Sequence, residues 1–153
     1  MSVDSRLAEL GLQVPAPRAP AYAYVPVVVH AGMAWVSGQL PWRTDGTWPQ
    51  GKLGAGVSID EGREAARLCV LNALSVMRES LGSLDRIARV IKVTGFVASA
   101  PGFVDQPSVV DGASSLLLEI FGEAGRHARS AVGMAELPRA APIEIEFVFA
   151  VKD

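Results

Sequence analysis

Along the final stretch, His127–Val151, apolar side chains recur at every second position. Ile143, Ile145, Phe147 and Phe149 fall on one face, with Glu144, Glu146, Val148 and Ala150 on the other. That alternation is the mark of a half-buried strand. Upstream, Ser130, Val132 and Met134 alternate with Ala131, Gly133 and Ala135 and predict a second strand. Leu137-Pro138-Arg139 breaks the pattern between them. Proline lacks the amide a central ladder needs, so this tripeptide reads as a connection and the whole stretch as a hairpin.

Taken in order, the remaining chain supplies partners for that hairpin. Tyr24–His30 is rich in valine and predicts a strand, Ala31-Gly32 a tight turn, and Met33–Val36 a second strand delivering Ser37-Gly38-Gln39 to its end. The segment between Pro41 and Gly56, with Trp42 and Trp48, reads as a loop that either caps a pocket or covers the core. Ser58-Ile59-Asp60-Glu61 is a capping box. The helix it opens runs to Leu81 and stops at Gly82, with Ala66, Cys69, Val70, Ala73, Met77 and Leu81 as its buried stripe. Ile87–Ala98 is apolar on both faces, as a central strand is. Pro101–Phe121 predicts a second helix, buried through Val109, Ala113, Leu116, Leu117, Ile120 and Phe121. Before all of this, residues 1–23 hold a short helix over Arg6–Leu10 and then Pro15, Pro17 and Pro20 among alanines. They read as an arm packed on the domain surface, with residues 24–153 as the single domain. The order β-β-α-β-α-β-β predicts an α+β domain, a mixed sheet with two helices on one face. No third helix is predicted for the other sheet face, so further subunits are expected to cover it.

Composition narrows the function more than the fold. A chain of 153 residues is long enough for one sizeable core. Its net charge of −2 gives no basic face for a phosphate backbone, so no nucleic-acid partner is expected. The single cysteine, Cys69, excludes an internal disulfide framework and sits among Leu68, Val70 and Leu71 as a core thiol would. Neither a signal peptide nor a membrane-spanning apolar run is visible, so a cytoplasmic protein without a membrane partner is expected. Two histidines and one cysteine, far apart, give no metal-ligand spacing.

The chemistry begins with Arg129 and Glu144, which a hairpin would bring near each other. From spacing alone a charge pair at a sheet edge is the favoured explanation. The motifs around them carry more. Arg129-Ser130-Ala131-Val132, Leu137-Pro138 and Ile143-Glu144-Ile145-Glu146, together with Ser37-Gly38-Gln39-Leu40-Pro41, resemble the signatures of the Rid (YjgF) family. That family is also called reactive intermediate deaminases, endoribonuclease L-PSP or translation inhibitors. The resemblance runs from about Tyr24 to the end, in order.

What the resemblance implies is a chorismate-mutase-like, YjgF-like fold assembled as a homotrimer, with sites between subunits. It implies hydrolysis of 2-imino or 2-enamino acids to a 2-keto acid and ammonia, without cofactor or metal. Arg129 matches the arginine that binds the substrate carboxylate, a task its planar fork suits. Glu144 matches the catalytic glutamate that positions water and accepts its proton. Tyr24 and Ser37 match residues lining the pocket; read locally, they are core packing and a turn residue. Asp111 stands nearest to a family asparagine on the second helix, and Ala131 replaces a common cysteine. Alanine removes a polar wall, and an aspartate there repels a carboxylate or competes for Arg129. Hence a second reading, a trimeric module that binds small carboxylates without turnover; one of the family's names adds a third, an endoribonuclease. His127, whose unperturbed pKa lies near neutrality, has no role in the family pattern.

Overall fold

A computed structural model describes residues 1–152. Its main sheet has five strands in the order β1-β2-β7-β5-β6: β1 Val27–His30, β2 Met33–Gln39, β5 Ile87–Ala98, β6 Ala128–Met134 and β7 Ile143–Val151. All neighbours pair antiparallel except β5 and β6, which run parallel. Helix α3 (Gln106–Phe121) makes the crossover that parallel pairing demands. Helix α2 (Ile59–Leu81) lies beside it. Between β2 and α2 the loop holds two residues each of β3 (Lys52–Leu53) and β4 (Gly56–Val57), a small parallel pair.

Local chemistry sets the helix bounds. Ser58 Oγ accepts the Glu61 amide at 3.1 Å, and Glu61 returns a carboxylate oxygen to the Ser58 amide at 2.8 Å. Gly82 ends α2 in the left-handed conformation. The second helix starts at Gln106, later than expected, with Pro107 in its first turn. A Cβ on Gly112 would stand 2.4 Å from the Arg63 carbonyl, so this glycine lets α3 lie directly on α2. Between helices and sheet the core gathers Val70, Leu74 and Met77 with Val93, Ile145, Phe147 and Phe149.

The expected hairpin over His127–Val151 does not form. Strand β7 enters between β2 and β5, and β5 separates it from β6. The physical reason lies in composition. The most apolar strand takes the position where both ladder edges are paired and helices cover one face. The sparser β6 takes the edge. None of its residues is fully buried and its burial does not alternate as expected. On the side away from the helices Val28, Trp35 and Val132 are exposed. Trp35 is 56% accessible there.

The N-terminal segment is tied to the helices. Helix α1 (Val3–Glu9) buries Leu7 in the core, and Asp4 pairs with Arg78. The Val3 amide donates to Asp85 at 2.7 Å. Further along, the Pro15 carbonyl accepts from Ser75 Oγ at 2.6 Å, which leads the chain across α2 toward Tyr24.

Candidate functional site

Arg129 lies on β6 opposite Val93, on the helix side of the sheet. Its guanidinium turns to α3: Nη1 donates to Ser114 Oγ at 3.1 Å and reaches Asp111 at 3.5 Å, and Nη2 donates to the Pro107 carbonyl at 3.3 Å. A guanidinium has five N–H groups, so Nε–H and one Nη–H are left over. The side chain is 24% exposed. Asp111 also faces Arg63, 3.6 Å away, so its charge is shared between two arginines. The cluster therefore keeps one net positive charge.

His127 supports this arrangement from behind. Its Nδ1 lies 2.6 Å from the Gly125 carbonyl and its Nε2 2.9 Å from Ser114 Oγ. A carbonyl only accepts, so Nδ1 carries a proton toward Gly125, and Nε2 shares a hydrogen bond with Ser114 Oγ. Ser114 can then receive the Arg129 N–H. His127 thus fixes Ser114 between the Gly125 turn and Arg129.

Glu144 stands elsewhere. It alternates with buried Ile143 and Ile145 on β7 and enters a cleft of about 340 Å³ where that strand begins. Tyr24, Gly38, Gln39, Trp42 and Arg139 share the lining. Gly38 makes room for the carboxyl: a Cβ there would sit 2.1 Å from Glu144 Oε1. Burial, and then the nearby Glu146, push the Glu144 carboxyl above its ordinary value of 4.5. Two buried side chains of α2 build the cleft walls. Asn72 Nδ2 donates to the Trp42 carbonyl at 2.9 Å, and Ser75 holds the arm. Cys69 is buried below, its thiol pushed well up by burial and then by Glu144, which makes it a core thiol.

The predicted site residues thus fall into two groups within one chain. Glu144 and Tyr24, the latter 52% exposed, share the cleft. Arg129 and Asp111 share the α3 cluster. Arg129 is level with Phe147 across β5, and Glu144 is three residues earlier on β7, on the other face. Two strand spacings and three residue rises put their backbones roughly 14 Å apart. Ser37 joins neither group. Its Oγ donates to the Val25 carbonyl at 2.9 Å, and it lines a separate groove with Trp35, Lys92 and Glu146. Sequence reasoning missed Arg18 and Arg139, which line the Glu144 cleft. Arg18 lies in the proline-rich arm and Arg139 beside the Leu-Pro turn, with no periodicity to mark either.

Residues 4–150 match the family described as "YjgF/chorismate mutase-like, putative endoribonuclease". The chain belongs to the YjgF family. The match begins inside the N-terminal segment. Protein TCP17 of Trypanosoma cruzi is 47% identical over 145 residues, covering 94% of this chain and 91% of that protein. The Agrobacterium tumefaciens protein Atu1372 is 42% identical with a TM-score of 0.91, covering 98% and 92% of the two chains. A Shewanella oneidensis protein carrying the endoribonuclease description is 34% identical with a TM-score of 0.94, covering 99% and 100%. More distant, Escherichia coli TdcF, solved with bound serine, is 25% identical with a TM-score of 0.63, covering 92% and 96%. The YjgF fold is therefore this chain's fold, trimeric assembly aside. No helix among the described residues is long and apolar enough to cross a membrane.

Proposed function

We propose that this protein hydrolyses small 2-imino or 2-enamino acids, releasing a 2-keto acid and ammonia. The observation that carries the reading is Arg129. Its guanidinium is held rigidly on α3 by three acceptors, yet two N–H groups point to no protein partner. Such a pre-oriented fork suits a carboxylate, and a charge-assisted contact of this kind contributes roughly 1.5–3 kcal/mol. Arg63 supports the same reading. By sharing Asp111 it offsets the carboxylate that would otherwise oppose an anion. TdcF with its serine is a related chain holding a small carboxylate.

Glu144 would do the proton work. Water adds to the carbon of the C=N bond and gives one proton to Glu144. The nitrogen then leaves as ammonia, taking that proton and the one the new hydroxyl gives up as the carbonyl forms. A carboxyl raised above its ordinary value is a better base than an exposed glutamate and returns the proton readily. Because Arg129 and Glu144 stand on opposite faces, the reading places the α3 cluster of one copy against the Glu144 cleft of the next. A ring of three such contacts closes on itself and covers Trp35 and Val132. The reading places the homotrimer in the cytoplasm.

2-Aminoacrylate generated in situ supplies the test. The full chain should speed its decay, and Arg129→Ala should lower kcat/KM by about a hundredfold, near 2.7 kcal/mol. Equal decay with wild type and Arg129→Ala would end this reading. Asp111 beside Arg129 also favours a second one, a trimer that retains carboxylates without turnover. A 2-keto acid bound at Arg129 with no measurable imine hydrolysis would select it. An endoribonuclease ranks last, since the net charge of −2 supplies no basic track for RNA.

A further inference from the structure

Two arginines of the Glu144 cleft have no part in the reaction just described. Arg18 comes from the arm, and its guanidinium lies 3.9 Å from the Trp42 ring centroid. Arg139 lies 5.3 Å from Trp42 and 5.7 Å from Trp48. The two indoles meet edge to face at 4.7 Å and form one aromatic shelf. Stacking fixes the plane of a guanidinium and leaves its N–H edge free to bind.

The shelf is built to stay in place. Trp48 Nε1 donates to the Arg139 carbonyl at 2.9 Å, and the Gly51 amide donates to the Ala140 carbonyl at 2.9 Å. Arg139 and Ala140 both hold left-handed backbone angles, φ 59° and 55°. Strain of that kind, in residues with a Cβ, persists where surrounding contacts impose it and concentrates at functional sites. Asn72 pins the Trp42 end of the shelf to α2.

Among the described residues neither guanidinium pairs with a carboxylate, whereas those of Arg6, Arg63, Arg67, Arg78, Arg126 and Arg129 each do. Arg43, Arg86 and Arg89 are likewise without such a pair, but only Arg18 and Arg139 line the Glu144 cleft. Glu144 shares the cleft but is not that partner. Its carboxyl is pushed up, the opposite of what an adjacent guanidinium does. The indole faces are covered by guanidinium groups, so they are not a platform for stacking a base. What remains is a small cleft with two oriented cations and one carboxyl group, Glu144, that is ion-paired with neither.

We propose that Arg18 and Arg139 bind a second carboxylate, making the ligands of this cleft four- and five-carbon 2-keto or 2-imino dicarboxylic acids. The first carboxylate goes to Arg129 of the adjoining copy. For turnover this rests on the deaminase reading; for binding it rests only on that reading's placement of Arg129 of one copy against the Glu144 cleft of the next.

Calorimetric titration of the full chain with 2-oxoglutarate and with 2-oxobutyrate tests it. The dicarboxylate should bind at least about tenfold more tightly, as one added charge-assisted contact gives. Arg18→Gln and Arg139→Gln should each remove most of that preference and leave 2-oxobutyrate within about twofold. Equal affinities for wild type, or a double variant that keeps the preference, would overturn the assignment. So would phosphoenolpyruvate displacing 2-oxoglutarate at equal concentration, which would make the second group a phosphate. If Arg139→Gln lowers the melting temperature, Arg18→Gln decides alone, because Arg18 is exposed and its guanidinium stacks on Trp42 from the arm. Imines made in situ from glutamate and from alanine by an amino-acid oxidase separate the two readings. Dicarboxylate preference without hydrolysis sinks the deaminase and keeps this site. Hydrolysis without preference does the reverse.

Discussion

Glu144 keeps its proton to higher pH in the folded chain than it does unfolded, because burial and Glu146 disfavour its charge. The folded state therefore binds more protons than the unfolded one from about the ordinary value of 4.5 upward. Its contribution to stability is complete below that pH and is lost as pH rises through the folded value. Glu144→Gln should accordingly melt higher than wild type at pH 7 and about level with it at pH 4, by calorimetry. Gly38 gives a second expectation at this scale. Gly38→Ala puts a methyl where Glu144 Oε1 now lies, 2.1 Å from the new Cβ. The carboxyl must swing away, so imine hydrolysis should fall more than tenfold with the fold kept, as circular dichroism would report. The motif Ser37-Gly38-Gln39 was legible in the sequence. That its glycine clears space for Glu144 was not, because the two are brought together by a ladder bridging over a hundred residues.

At the scale of elements, α1 behaves as part of the core. Leu7 is 3% exposed beneath it, and Asp4, Val3 and Pro15 each fasten the segment to α2 or its C-terminal turn. Leu7→Ala should cost about 2 kcal/mol in urea unfolding, toward the low end for a buried leucine because a surface helix relaxes. Truncating the arm should also open the Glu144 cleft, since Arg18 through Tyr24 form one of its walls. Capped and periodic elements were legible from local pattern. Helix α2 and strand β5 fall where the capping box, Gly82 and the apolar run Ile87–Ala98 place them. The connection after β6 was misread because turn chemistry says only that a chain reverses, and the choice of neighbour belongs to the sheet.

For the whole molecule, the separation of Arg129 from Glu144 leads to a complementation experiment. Arg129→Ala and Glu144→Ala should each be inactive alone. Mixed and reassembled, they should recover a fraction of wild-type turnover, since some contacts then join an intact Arg129 to an intact Glu144. No recovery from verified mixed oligomers would put the site within one copy. Trp35→Glu should lower the oligomer mass in sedimentation without unfolding the chain, because a charge on an exposed indole position opposes burial against another copy.

The sequence by itself determined the α+β class, both long helices, the central strand and the identity of the arginine and glutamate at issue. These depend on interactions between residues near in the chain, or on motifs read in order. Only the tertiary structure decided that β7 lies between β2 and β5, which sets Arg129 and Glu144 two strands apart, with β5 between them. It alone set Arg18 and Arg139 on one aromatic shelf beside Glu144. Strand order follows from which strand gains most by burying both edges, and that comparison is made across the whole chain at once.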